Sequence, residues 1–180
     1  ISGYLSDHFG ARTAVPPGML GFIPVPITAQ SLGVMLAGVV LGAKRGTIAV
    51  LLVLVLAAIG LPVLSGGRGG LAVFMAPTTG YLIGWVFAAM VTGYLSQIMV
   101  GRDQAGLVQG VNFFIAALMG GVIVLYGIGI TYLALITGMG FVKAFLGSLA
   151  FIPGDVLKAV IAALAGRAVM AGYPLLPQRA

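Results

Sequence analysis

Cysteine is absent from this chain of 180 residues, so disulfides and thiolate chemistry are excluded and redox places no constraint on its compartment. Acid is nearly absent too: Asp and Glu together number 3, and His8 is the single histidine. So few ligating groups give no credible metal cage. No serine or threonine has an obvious base beside it, as an activated nucleophile needs. Neither an enzyme nor a bound cofactor is expected. The stretch GVVLGAKRG at 38–46 suggests a phosphate loop but lacks the G-x-x-x-x-G-K-S/T spacing and ends an apolar run, so the chain carries no ATP site.

Charge of either sign is scarce. Only 7% of residues are charged, against roughly a quarter in soluble domains. Such a chain cannot cover a water-facing surface. What it has instead is grease: 61% hydrophobic residues and a mean hydropathy of +1.18. It reads as an all-α integral membrane protein, a compact bundle of transmembrane helices forming one domain over 1–180, with the lipid bilayer as its surroundings. The net charge of +6 comes from basic residues too scattered for a nucleic-acid patch. The first residues lack the basic-then-apolar order of a signal peptide.

A helix needs about 20 apolar residues to cross a bilayer. Five spans are visible: a short one at 27–42, then 47–64, 80–100, 107–136 with glycine kinks, and 153–172. The segment 137–151 is too short and broken to span and reads as a short outer surface helix. Residues 71–80 read as a loop around Pro77. Residues 1–26, with Asp7, His8, Arg12 and Pro16–Pro17, offer no further span. No repeat stands out, so an inverted-repeat transporter gains no support. Alternating the spans puts Lys44, Arg45, Arg102, Arg167 and Arg179 on one side, which the positive-inside rule makes cytoplasmic. Arg12, Arg68 and Lys143 face outward.

One acid and one base stand close together in the last apolar span, in FIPGDVLKA at 151–159. Asp155 and Lys158 are at i and i+3, on one helix face. A local account exists: Pro153 in the first turn, Asp155 complementing the helix dipole, Lys158 snorkelling to headgroups. The sharper account is a polar patch in the mouth of the bundle. Ionisable groups within spans cost about 2.5–3.5 kcal/mol each on insertion scales and mark ligand or ion paths.

Other features point to the same outer mouth. The turn SGGRGG at 65–70 exposes backbone amides that glycine leaves unshielded. Arg68 at its centre either holds an anion or marks a solvated loop. FIPVPITAQ at 22–30 brings Thr28 and Gln30 to a helix start, where capping is the ordinary role. Tyr81 and Trp85, at i and i+4, fit the interfacial aromatic belt more readily than a stacking wall. Asn112 fits a helix–helix hydrogen bond. The spacings Gly38–Gly42, Gly80–Gly84 and Ala159–Ala163 permit close helix approach and indicate packing.

Three segments in order, FIPVPITAQSLGVMLAG, GLPVLSGGRGGLAVFMAPTTGY and FIPGDVLKA, resemble the BioY family, the biotin-specific membrane subunits of energy-coupling-factor transporters. The resemblance implies a six-helix subunit that binds biotin from outside. It implies three partners: a membrane coupling subunit and two cytoplasmic ATPases in a prokaryotic plasma membrane. Carried onto this chain, it puts Asp155 and Lys158 at the biotin head. Gly66, Gly67, Arg68 and Gly69 come close to the ligand, Tyr81 helps close the pocket, and Gln30 belongs to the contacts. The chain departs from the family pattern at its start, where a first helix with an alanine-x-x-x-alanine docking face is not recognisable. Ala76 and Thr79 stand where glycines are expected, which stiffens that loop. Other readings remain open on the residues alone: a structural assembly subunit held by small-residue faces, a uniporter or channel, or a subunit for another small vitamin.

Overall fold

The computed structural model describes residues 29–172. They form six α-helices in chain order: α1 Gln30–Ala58, α2 Thr79–Met99, α3 Gly106–Leu118, α4 Leu125–Thr137, α5 Phe141–Leu149 and α6 Ile152–Gly172. A short 3-10 turn, Leu71–Phe74, sits between α1 and α2, and a π-helical segment, Met119–Val124, joins α3 to α4. Arg12, the prolines of 22–26, Thr28 and Arg179 lie outside the described residues, as does any first helix with a docking face.

α1 is not straight. At Gly42 the backbone takes φ 79° and ψ −179°, a conformation that favours glycine. Here the helix folds back. An ideal Cβ on Gly46 would lie 2.5 Å from the carbonyl oxygen of Ala37. Nine residues of straight helix would separate those positions by about 13.5 Å. The reversal agrees with reading 27–42 and 47–64 as separate spans, with Lys44 and Arg45 at the turn. It frees the backbone N–H of Ala43, which donates to Gln97 Oε1 of α2 at 3.3 Å. The second arm ends at Ala58, short of Pro62. Gly70 N–H then closes the loop back onto the Ala57 carbonyl at 2.7 Å.

α2 and the continuous α3–α4 rod, Gly106–Thr137, are each long and apolar enough to cross a membrane. α5 and α6 meet at a bend of 56°. This matches the expectation of a short outer helix before the last span, and the chain is a multi-pass membrane protein. The rod passes through its π segment at Gly120 and Gly121, among the glycines expected to kink it.

Small residues bring the helices together, while Met35, Val39 and Phe113 fill the spaces between them. Ala88, Ala89, Thr92 and Ser96 of α2 are fully buried, as are Ala116 and Ala117 of α3 and Ala159 and Ala162 of α6. Large side chains such as Leu52, Val55, Ile123 and Leu164 point outward, toward lipid. Close backbone approach maximises packing where hydrocarbon surrounds the bundle. The small-residue spacings serve this purpose. Gly38 lies against Thr92, Gly80 against Tyr132, and Gly84 against Leu125, while Gly93 fits against Gly42 and Ala43.

The loop joining α2 to α3 is tied down by amides. Asn112 Nδ2 donates to the Met99 carbonyl at 2.7 Å and to Gln104 Oε1 at 3.1 Å, and Gln109 Nε2 donates to the Gly101 carbonyl at 2.9 Å. Asn112 of α3 thus bonds the last residue of α2, the expected helix–helix hydrogen bond, and the loop between the two helices.

Candidate functional site

The helices leave a cavity of about 520 Å³ at the end away from Lys44, Arg45, Arg102 and Arg167. That volume lies within the roughly 300–1,000 Å³ of ordinary small-molecule pockets. Val73, Leu82, Trp85, Leu125 and Leu133 supply apolar wall. Both Gln30 and Leu64 line it, which only the reversal in α1 allows.

Its polar floor is one connected cluster. Asp155 lies in the first turn of α6 and Lys158 one turn on, with relative exposures of 5% and 7%. Lys158 Nζ donates to Asp155 Oδ1 at 2.7 Å and to Ser31 Oγ at 2.9 Å. Ser31 Oγ donates to the same Asp155 Oδ1 at 2.8 Å. Tyr126 Oη donates to Asp155 Oδ2 at 2.5 Å. A buried ion pair persists only where further hydrogen bonds satisfy it, and Ser31 and Tyr126 supply them. One ammonium N–H of Lys158 has no partner among the described residues, and Asp155 Oδ2 keeps acceptor capacity. The floor therefore offers a donor and an acceptor side by side to an incoming group. Lys158 does not snorkel; it is turned inward and held.

Around this floor stands an aromatic and hydroxyl wall. The rings of Tyr81 and Tyr126 meet edge to face, 6.0 Å between centroids at 88°. Tyr81 Oη lies 2.8 Å from Ser148 Oγ, which itself donates to the Ala144 carbonyl. The phenol is therefore the donor, and α2 is fastened to α5. Trp85, expected in the interfacial belt, is instead buried and lines the cavity with Tyr81, because α2 packs this face toward α4, with Leu125 and Tyr126 on the same cavity wall.

The rim carries the cations. Arg68 lines the cavity from the glycine turn, and Lys143 from α5. Leu64 and Arg68 exchange backbone hydrogen bonds of 3.1 and 3.2 Å across a tight reversal, and Arg68 Nε donates to the Ser65 carbonyl at 3.1 Å. Gly66 and Gly67 make that reversal with φ of 75° and 68°. Gly69 packs its Cα against Leu61, whose carbonyl carbon would lie 2.8 Å from an added Cβ. These three glycines shape the turn and do not line the cavity; Arg68 does. In the following loop Thr79 Oγ1 donates to the carbonyls of Ala76 at 2.7 Å and Val73 at 3.2 Å.

Of the residues singled out in the sequence, Asp155, Lys158, Arg68, Tyr81 and Gln30 converge on one cavity. Ser31, Tyr126, Lys143 and Ser148 join them without having been singled out as contacts. Ser31 is next to Gln30 but 124 residues from Asp155, and Tyr126 gives no signal beyond being a tyrosine in an apolar span.

Fold and site together define a class: an α-helical multi-pass membrane protein that encloses a small-molecule cavity with a charged, hydrogen-bonded floor. A model of the BioY family matches residues 9–175, and the chain belongs to that family. It is 72% identical over 166 residues to the "Biotin transporter BioY" of Rhizobium etli, covering 92% of this chain and 89% of the relative. It is 47% identical to the "Biotin transporter BioY" of Rhodobacter capsulatus, covering 83% and 85%. Among solved structures it superposes with a TM-score of 0.73, at 38% identity, on the S-component for biotin from an ECF-type ABC transporter. That match covers 84% of this chain and 79% of the other.

Proposed function

We propose that this chain binds biotin from the outer side of a prokaryotic plasma membrane and delivers it inward as the substrate-specific subunit of an ATP-driven energy-coupling-factor transporter. The observation that carries this reading is the Ser31–Asp155–Lys158–Tyr126 cluster, buried at the bottom of an otherwise apolar cavity. Biotin presents a ureido ring with two N–H donors and one carbonyl, an apolar sulfur ring and a chain ending in a carboxylate. Asp155 is the acceptor for a ureido N–H, and the spare N–H of Lys158 donates to a ligand oxygen. Trp85, Tyr81 and Leu82 cover the apolar body, and Arg68 at the rim is a second partner for ligand oxygen. Gln30 adds an amide, while Gly66, Gly67 and Gly69 let the turn carrying Arg68 approach closely.

Binding here is recognition without chemistry. The work of transport falls to partners, a membrane coupling subunit and two cytoplasmic ATPases, consistent with a chain that carries no phosphate-loop motif. A structural subunit without ligand is not favoured, because Gly38, Gly84, Ala159 and Ala163 are already spent on internal packing.

Calorimetric titration of the purified subunit with biotin tests the binding step, with quenching or enhancement of the single tryptophan, Trp85, as a second readout. Saturable one-site binding is expected; no response in either readout refutes the proposal. Mass spectrometry of the small molecule that co-purifies separates biotin from another vitamin. Uptake into vesicles that requires all three partners tests the coupling.

A further inference from the structure

We propose a second binding site, on the outside of the bundle, for an anionic glycerophospholipid of the leaflet away from the biotin cavity. α3 and α6 pack side by side and leave a trough of about 240 Å³ facing the bilayer. Leu107, Val111, Phe114, Val160 and Leu164 make it apolar, and Gly110 leaves it open, with nothing within 4 Å of where a Cβ would be.

One end of the trough is closed by Arg167, twelve residues beyond Asp155 and so about 18 Å along α6 from the cavity floor. Its guanidinium lies over Gly106, where an added Cβ would be 2.6 Å from Nη2. Its side chain is exposed and forms no ion pair or hydrogen bond with any described residue, so its donors are open to a partner from outside the bundle. One turn beyond Arg167 on α6, a polar depression is lined by Met170 and Ala171 together with Gln109 of α3 and Arg102 of the loop before it. The surface therefore changes along its length from apolar trough to unpaired guanidinium to a second cation. That profile complements acyl chain followed by a phosphate, and the arginine fork suits a phosphate oxygen pair. The local charge is positive, with Lys44, Arg45, Arg102 and Arg167 at this end and Asp103 the described acid there.

Native mass spectrometry tests this on the full chain, titrated in detergent micelles with phosphatidylglycerol or with phosphatidylcholine of the same acyl chains. Wild type is expected to retain phosphatidylglycerol preferentially. Arg167→Gln removes one surface cation and should lower that preference about fivefold. Gly110→Leu fills the trough and should reduce retention of both lipids, while biotin affinity stays unchanged in both variants. Equal retention of the two lipids by wild type, or an unaltered preference in Arg167→Gln, overturns the site. So does a Gly110→Leu variant that loses assembly with a coupling subunit while keeping its lipid, since the face is then a protein interface. Biotin titration of the same samples reports on the transport reading separately.

Discussion

Ser31 stands between Lys158 and Asp155, accepting a hydrogen bond from the ammonium at 2.9 Å and donating one to the carboxylate at 2.8 Å. The first residue is at the start of α1 and the other two are in α6, 127 and 124 residues away. That one hydroxyl fastens the two ends of the described chain together at the cavity floor.

Asp155→Asn keeps the shape but removes the charge, leaving Lys158 buried without its counter-ion. Breaking a buried charge pair at a binding site costs about 2–5 kcal/mol. Biotin affinity is expected to fall about 30-fold or more by calorimetry. The double change Asp155→Asn with Lys158→Met removes both charges. It should recover thermal stability, because uncompensated charge is the larger penalty, yet not recover binding. Wild-type affinity in Asp155→Asn would reduce the pair to a local helix feature.

Tyr126→Phe removes the only donor to Asp155 Oδ2 among the described residues while keeping the ring against Tyr81. Hydrogen bonds to charged groups contribute about 1.5–3 kcal/mol. A weakening of roughly tenfold or more in biotin affinity is expected, with little change in helicity by circular dichroism.

Gly67→Ala asks an L-residue to hold φ 68° in the turn beside Arg68. A left-handed conformation costs a non-glycine residue roughly 1–2 kcal/mol. A lowered melting midpoint and faster biotin release are expected, the latter because the turn no longer holds Arg68 at the rim. An unchanged release rate measured by tryptophan fluorescence would separate the turn from the pocket.

Glycine substitutions should divide by surroundings rather than by residue type. Gly93 packs against the backbone of Gly42 and Ala43, so Gly93→Leu has no room and should abolish the folded subunit in size-exclusion chromatography. Gly127 has nothing within 4 Å of its Cβ position on helix α4. Gly127→Ala should therefore stabilise by about 0.5–1 kcal/mol through helix propensity, visible as a higher melting midpoint.

Much of the fold was legible because membrane chemistry restricts the options. Scarce charge, long apolar runs and the basic pair after 42 sufficed for the separate arms of α1 and a short helix before the last span. The basic pair Lys44 and Arg45 marked the end of the first arm, and the shortness of 137–151 marked a separate helix before the last; that Gly42 itself makes the reversal, beyond its packing role, was not visible. Half of the site was also legible: Asp155 and Lys158 stand out because an acid and a base in hydrocarbon are costly.

The rest depended on which helix faces which. Lys158 looks equally able to reach headgroups or the interior, and only its packing against Ser31 turns it inward. Trp85 fits an interfacial belt until α2 is packed against α4.

By itself the sequence determined the solvent of this protein, the order of its apolar segments, and the residues whose charge demands a partner. Tertiary structure decided who the partners are: Ser31 and Tyr126 beneath the cavity, Arg68 and Lys143 at its rim. The physical reason is that hydropathy acts along the chain, one segment at a time. Hydrogen-bond satisfaction at low dielectric acts across it, between groups that only packing brings within 3 Å.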